Sequence, residues 1–438
     1  MIAAVLRCVY TIALYLALPL FVLRLWWQGR GQPGYRRRIG ERFGLAPARA
    51  DARPLIWLHA VSVGEVQASM PLVAGLCRGF PDHRLLVTTT TATGADHARR
   101  LFGEEVAHAW FPYDTPDAVA RFLRRTRPAL LLLMETELWP NLLRACARRS
   151  IPSLLVNARL SERSLRRYMR LRPLVAAMLR DLSGVAAQTE ADAERFRTLG
   201  MPPGRTRVTG SLKFDVRLPD DLAARVDACR RDCGPGRPMW IAASTHEGEE
   251  EQVLTAHARV REELPSALLL LAPRHPVRAP QVAELIERRG YSCRRRSAGE
   301  VCEAGTQVYL IDTLGELIPF YGTADAAFVG GSLVAVGGHN LLEPAAVSRP
   351  IVSGPHYFNF AEIGERLRAA GALSVVEDSS TLAAEIVALL RDPATYRRRG
   401  EAARSVVDQC TGTAERLLAW LVGILAEGRA GGSAHHRR

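Results

Sequence analysis

The sequence predicts an α/β protein of two Rossmann-like domains facing a cleft, preceded by an apolar anchor helix. Three observations predict it. Short apolar runs alternate with helical stretches from Leu55 onward, which is the rhythm of a parallel sheet covered on both faces. A second such series starts at Met239, after a polar junction. The chain has 438 residues, more than one hydrophobic core usually organises.

Taken in order, residues 1–27 read as a membrane anchor. Ile2 to Leu23 is almost continuously apolar and long enough to cross a bilayer, which takes about 20 residues. The run continues into Leu25-Trp26-Trp27 instead of a small-residue cleavage site, so a removed signal peptide is disfavoured. Trp26 and Trp27 suit an interfacial belt. Arg24, Arg30, Arg36, Arg37, Arg38 and Arg42 follow, and the positive-inside rule then places the rest of the chain in the cytoplasm. Whether the helix spans the bilayer or lies in its surface is left open, because Arg7 and Pro19 interrupt it.

Residues 28–212 form the first domain, with strands expected at 55–61, 85–91, 107–111, 129–134, 153–157, 184–188 and 207–209. Residues 213–236, polar and ending in Gly234-Pro235-Gly236, are expected as the interdomain linker. Residues 237–427 form the second domain, with strands at 239–243, 268–272, 308–311, 326–329, 351–353 and 373–376. Helices at 394–409 and 413–427, counted with the second domain, are expected to brace the domains, and 428–438 reads as a disordered basic tail.

Composition narrows the function classes. Hydrophobic residues make up 48% and charged residues 24%, an ordinary globular balance. The net charge of +13 suits an anionic membrane surface or a phosphorylated substrate. It would also suit nucleic acid, but no nucleic-acid reading motif accompanies it. The eight cysteines lack metal-ligand spacing and read as reduced structural thiols of a cytosolic compartment. No Gly-x-Ser-x-Gly elbow and no Gly-x-x-x-x-Gly-Lys loop is present, which disfavours hydrolase and ATPase readings.

The chemistry is expected where strands end. Phe328-Val-Gly-Gly-Ser-Leu-Val-Ala-Val-Gly-Gly-His-Asn-Leu-Leu-Glu-Pro344 is a strand that empties through glycines into a helix start. Free N–H groups there make an anion site, Asn340 is a plausible N-cap, and Glu343 can reach ribose hydroxyls. In His59-Ala-Val-Ser-Val-Gly-Glu65, Glu65 falls in a first helical turn and is either a general base or a helix cap. Glu135-Thr-Glu-Leu-Trp-Pro-Asn141 sets two carboxylates at the end of a Leu-rich strand, and Asn157-Ala-Arg-Leu-Ser161 repeats that polar ending one strand later. Lys213 in Gly210-Ser-Leu-Lys-Phe-Asp215 can meet a phosphate or pair with an acid such as Asp215. Arg274 in Ala272-Pro-Arg-His-Pro276 is fit for bidentate phosphate contact. His275 has no second ligand at metal spacing. Ser244-Thr-His246 and Asp312-Thr-Leu-Gly-Glu316 are further strand-to-helix turns.

These blocks, with Glu41-Arg-Phe-Gly44, resemble in order and across almost the whole chain the 3-deoxy-D-manno-octulosonic acid (Kdo) transferases of lipopolysaccharide biosynthesis. The resemblance implies a GT-B glycosyltransferase that inverts the anomeric centre without a metal or other cofactor. It implies CMP-Kdo as donor, a lipid A precursor (lipid IVA) as acceptor, and a place at the cytoplasmic face of the cell inner membrane. By match to the family's motifs, Glu65 is the base, and Glu135 and Lys213 stabilise the transition state. Pro273, Arg274, Leu314, Gly315, Glu316, Asn340, Leu341, Leu342 and Glu343 bind CMP.

Three rivals remain: a membrane-associated GT-B transferase with a UDP-sugar donor, a non-hydrolysing nucleotide-sugar epimerase, and an inactive tethered binding module. The apolar anchor argues against the epimerase, whose soluble substrate needs no tether. The joint presence of Glu65, Glu135 and Lys213 argues against the inactive module.

Overall fold

A computed structural model describes residues 1–47, 51–216 and 218–435. The chain forms two compact units, Met1–Asp215 with the segment from Thr411 onward, and Val216–Cys410.

Unit 1 is built on β1 (Leu55–His59), β2 (Arg84–Thr89), β3 (Val106–Trp110), β4 (Pro128–Met134), β5 (Ser153–Ala158), β6 (Gly184–Ala187) and β7 (Thr206–Val208). Unit 2 is built on β8 (Met239–Thr245), β9 (Leu268–Pro273), β10 (Cys293–Arg295), β11 (Val308–Leu310), β12 (Ala326–Val329), β13 (Ile351–Ser353) and β14 (Leu373–Val375). Among the described residues each set is one parallel sheet, ordered β3-β2-β1-β4-β5-β6-β7 and β10-β11-β9-β8-β12-β13-β14. Strand order reverses beside the first strand of each unit, so β1 lies between β2 and β4, and β8 between β9 and β12. Ligands of open α/β sheets bind outside the carboxyl ends of strands at such a reversal.

The apolar runs work as the sequence implies. In β1, Leu55 and Trp57 pack into one core with Phe122 and Leu131, while Ile56 and Leu58 pack into another with Val66 and Leu72. The period of two thus feeds both faces, each covered by helices.

Three expectations are corrected. Segment 213–236 is not a free linker: Asp215 closes unit 1, and the helix Leu222–Cys233 packs on Leu317–Thr323 of unit 2. Only Cys229 and Cys233 of that helix are buried, so its polar composition concealed a packed face. The last helix, Thr413–His435, returns to unit 1 and lies on Val63–Gly79, with Leu417, Trp420 and Leu421 in the core. Asp215 holds its start, accepting hydrogen bonds from the Gly412 and Ala414 N–H groups at 2.8 and 2.6 Å. Its helical backbone runs past Gly428, where disorder is expected from the sequence, and 436–438 lie outside the described residues. Strand β10, a short edge strand with two arginines, has no sequence signal of its own.

The first helix is Ile2–Gly31 and is apolar enough to cross a membrane by length and composition. One face is held against unit 1. Asn141 donates to the Thr11 hydroxyl at 3.0 Å, Tyr15 donates to Asp117 at 2.7 Å, and Phe21 stacks on Tyr113. Val5, Val9, Ile12, Leu16, Leu20 and Leu23 are exposed on its surface. Of the arginines that follow, Arg42 is buried over the Trp110 ring and bonded to the Thr90 carbonyl, so it serves the fold and not a lipid surface.

Candidate active site

In unit 1 the site lies at the reversal between β1 and β4. The helix Val63–Gly79 starts after β1 with Ser62 as N-cap, whose hydroxyl accepts from the Glu65 N–H at 3.4 Å. The Glu65 carboxylate accepts from the Val61 N–H at 2.8 Å and the Ser62 hydroxyl at 3.3 Å. Capping and orienting are therefore one arrangement, and the cap does not exclude a chemical role. Burial, then the charges of Glu135 and Glu137, push the Glu65 carboxyl up to about 7, against the pull of the Val61 N–H. A carboxyl that titrates near neutrality and is held in place is suited to take a proton.

Glu135 directly follows β4 with φ of 55°, a left-handed backbone that costs a non-glycine residue energy. Asn157 at the end of β5 and Ser244 in β8 share this conformation, with φ of 53° and 57°. Both strands show a register shift there. Strain of this kind concentrates at functional sites, because it turns a side chain out of the ladder. Lys213 lies 3.3 Å from Glu135. Its short helical turn, Leu212–Phe214, is held by the buried Asn157, whose side-chain oxygen accepts from the Leu212 N–H at 3.0 Å. Asn157 is thus a positioning residue for the lysine. Asp215 is committed to the last helix. Glu137 accepts from the Trp139 indole at 3.0 Å, and burial raises its carboxyl. His59 is buried against Phe111, held neutral at about 3 by burial, and belongs to the core.

In unit 2 the equivalent reversal lies between β8 and β12, and here the glycine run departs from the sequence reading. The N–H groups of Gly331, Ser332 and Leu333 are not free for a ligand. The fully buried Glu249 accepts all three at 2.6, 2.9 and 2.9 Å, together with the His246 N–H at 3.0 Å. An internal carboxylate fills the anion nest. Asn340 is displaced too: Leu341 is the N-cap of the short helix Leu342–Ala346, and the Asn340 side chain accepts from the Leu342 N–H and donates to Glu343 at 3.1 Å. Burial raises the Glu343 carboxyl, while Asn340 and the positive charge of Arg274 lower it.

Pro273 ends β9 and Arg274 follows it, exposed and without an ion-pair partner among the described residues. Its charge reaches His339 as well as Glu343, which brings Arg274 together with the Asn340–Glu343 segment. His246 and His339 meet through Nε2 at 2.8 Å, and His275 stands edge-on to His246. Gly331, with φ of 68°, passes beneath this pair, and an added Cβ would meet the His339 ring at 2.9 Å. Leu314 is exposed and Gly315 has φ of 80° in the loop after β11, the neighbour of β9. Glu316 is held by both arms of Arg296, at 2.8 and 3.2 Å, while Arg295 holds Asp312 at 2.9 Å.

A family model described as 3-deoxy-D-manno-octulosonic-acid transferase (kdotransferase) matches residues 37–216. A 3-deoxy-D-manno-octulosonic acid transferase of Haemophilus influenzae is 40% identical over 414 residues, 94% of this chain and 97% of that protein. The chain belongs to the Kdo transferase family. Another Kdo transferase, of Bordetella pertussis, is 41% identical over 94% of this chain and 98% of its own length. Membership makes the chain a glycosyltransferase. Among solved structures, the C-terminal CMP-Kdo binding domain of WaaA from Acinetobacter baumannii is 34% identical, covers 42% of this chain and 95% of that one, and has a TM-score of 0.40.

Within this Kdo transferase family member, sequence reasoning missed Glu249, Arg295, Arg296 and the positioning role of Asn157. Glu249 carried a signal, an acid in the first turn of a helix that follows a strand end. Arg295 and Arg296 sit in a run of three arginines that reads as a solvated surface. One compositional signal went unread: Lys213 is the only lysine in the chain, among 58 basic residues.

Proposed function

We propose that this chain is an inverting, metal-independent glycosyltransferase that moves Kdo from CMP-Kdo to a lipid A precursor (lipid IVA) at the cytoplasmic face of the inner membrane. The observation that carries the mechanism is Glu65, a fixed carboxyl near neutrality beside the Glu135–Lys213 pair. In this reading Glu65 takes the proton of the acceptor sugar hydroxyl. The oxygen attacks the anomeric carbon, and the bond to the phosphate oxygen breaks with its electron pair leaving on CMP. Glu135 favours the positive charge of the oxocarbenium-like transition state. Lys213 balances negative charge, and its ion pair with Glu135 sets the position of both. In unit 2, Arg274 meets the phosphate, and the segments 314–316 and 340–343 hold the nucleoside. No metal ion takes part in these steps. The membrane reading is supported by the apolar face of Ile2–Gly31 and the arginines beyond it.

Mass spectrometry of the lipid acceptor after incubation with CMP-Kdo tests the activity. A gain of whole Kdo residues is expected. No gain, with transfer from a UDP-sugar instead, overturns it. Arg274→Ala is expected to weaken CMP binding roughly 10- to 100-fold by calorimetry, the loss of a charge-assisted contact. Lys213→Arg keeps the charge but enlarges and flattens the head group. It is expected to lower kcat roughly tenfold or more while leaving CMP affinity within twofold.

A further inference from the structure

The helix Glu162–Met169 has no buried residue at all. It starts after β5, beyond Asn157 and Arg159. Leu165 and Tyr168 rest partly buried against the core of unit 1. Arg163, Arg166, Arg167 and Arg170 recur at spacings of three and four, which places them on one face. All four are exposed, and among the described residues none has an acidic partner. A helix packed beside it, Glu190–Leu199, is different: Arg195 pairs with Asp192 and Glu162, and Arg197 with Glu190 and Glu194. Like charges at these spacings oppose helix formation, so the unpaired stripe is a cost that the fold does not relieve.

Its position gives it a use. The Arg159 carbonyl accepts from the hydroxyl of Thr136, the neighbour of Glu135. Burial, and then the charge of nearby Glu137, raises the Tyr168 phenol. The helix therefore borders the loop that carries Glu135. It also packs on Arg172–Asp181, which itself supports the apolar first helix. A basic stripe on the outward face of a helix that borders the acidic site, two helices from the apolar one, fits a lipid whose sugar head carries phosphate.

We infer that Arg163, Arg166, Arg167 and Arg170 form the subsite that binds the phosphate monoester groups of the lipid acceptor. Guanidinium groups suit phosphate because they offer paired donors at fixed geometry. The inference rests on the proposed acceptor and adds the residues that read its phosphates.

The test compares full-length wild type with the quadruple variant Arg163→Gln, Arg166→Gln, Arg167→Gln and Arg170→Gln in detergent micelles. Acceptors are a bisphosphorylated lipid A precursor and its monophosphorylated form. Wild type is expected to prefer the bisphosphorylated lipid about tenfold or more in kcat/KM. The variant is expected to lose that preference through KM, with kcat and CMP affinity unchanged and a melting temperature equal to or above that of wild type, since the like-charge repulsion is gone. Equal loss on both acceptors, an unchanged preference, or a wild type that does not discriminate overturns the subsite. So does a variant that loses only its binding to vesicles with anionic phospholipid, which would assign the stripe to the bilayer. A wild type that binds CMP yet modifies neither lipid refutes the acceptor assignment itself, and the subsite with it.

Discussion

Glu65→Gln is expected to lower kcat by roughly 10²–10⁴-fold while leaving CMP affinity unchanged. The substitution keeps the shape and the acceptor oxygen for the Val61 N–H, so the helix start survives. It removes only the capacity to take a proton. The pH profile separates base from cap. Because the Glu65 carboxyl titrates at about 7, wild-type kcat/KM is expected to fall about tenfold per pH unit below that value. The variant is expected to lose this acidic limb. Stability should move the other way. A carboxyl raised from 4.5 to about 7 favours the folded state at low pH, and that contribution is lost as pH rises from 4.5 through 7. Glu65→Gln is therefore expected to melt higher than wild type at pH 8 and no higher at pH 4. If turnover survives at near wild-type level, Glu65 is a cap only.

The largest stability effect is expected at Glu249. Four N–H groups converge on its buried carboxylate, and Glu249→Ala leaves all four without an acceptor. Each unsatisfied buried donor costs about 1–3 kcal/mol, so a loss of about 4 kcal/mol or more is expected for unit 2. At a domain of this size that lowers Tm by roughly 8–16 °C, measurable by calorimetry. Glu249→Gln should fall between the two, because an amide offers one acceptor oxygen and turns donors toward the remaining N–H groups. A Tm within two or three degrees of wild type for Glu249→Ala would show that another group takes over the nest.

Strands were the most legible part of the chain. Continuous apolar runs such as Leu130–Met134 can only be buried, and their ends mark where the sheet presents side chains. Strand β10 escaped because a three-residue edge strand carrying Arg294 and Arg295 buries too little to leave a pattern. The helix Leu222–Cys233 escaped for a related reason, with only two cysteines turned inward. At the site, strand-end position singles out Glu65 and Glu135, and the junction singles out Lys213, but the Glu135–Lys213 ion pair is not legible in the sequence, where Lys213 could as well meet a phosphate or another acid. The glycine loop was half legible. Its turns are where glycines require them, at Gly331, Gly337 and Gly338, but local sequence cannot reveal that a carboxylate from a distant helix already occupies its N–H groups. The lone lysine shows that rarity within a composition carries information that charge counts discard.

The return of Thr413–His435 to unit 1 bears on how the protein is made. A ribosome releases the first sheet long before the helix that covers Val63–Gly79 has been synthesised, so nascent unit 1 waits with the face around Gly75, where Leu418 later packs, uncovered. Unit 2, contiguous in sequence, has every strand it needs before synthesis ends. A chain stopped at Cys410 would therefore carry a finished second unit on an unfinished first one, and chaperones would meet the half that holds Glu65.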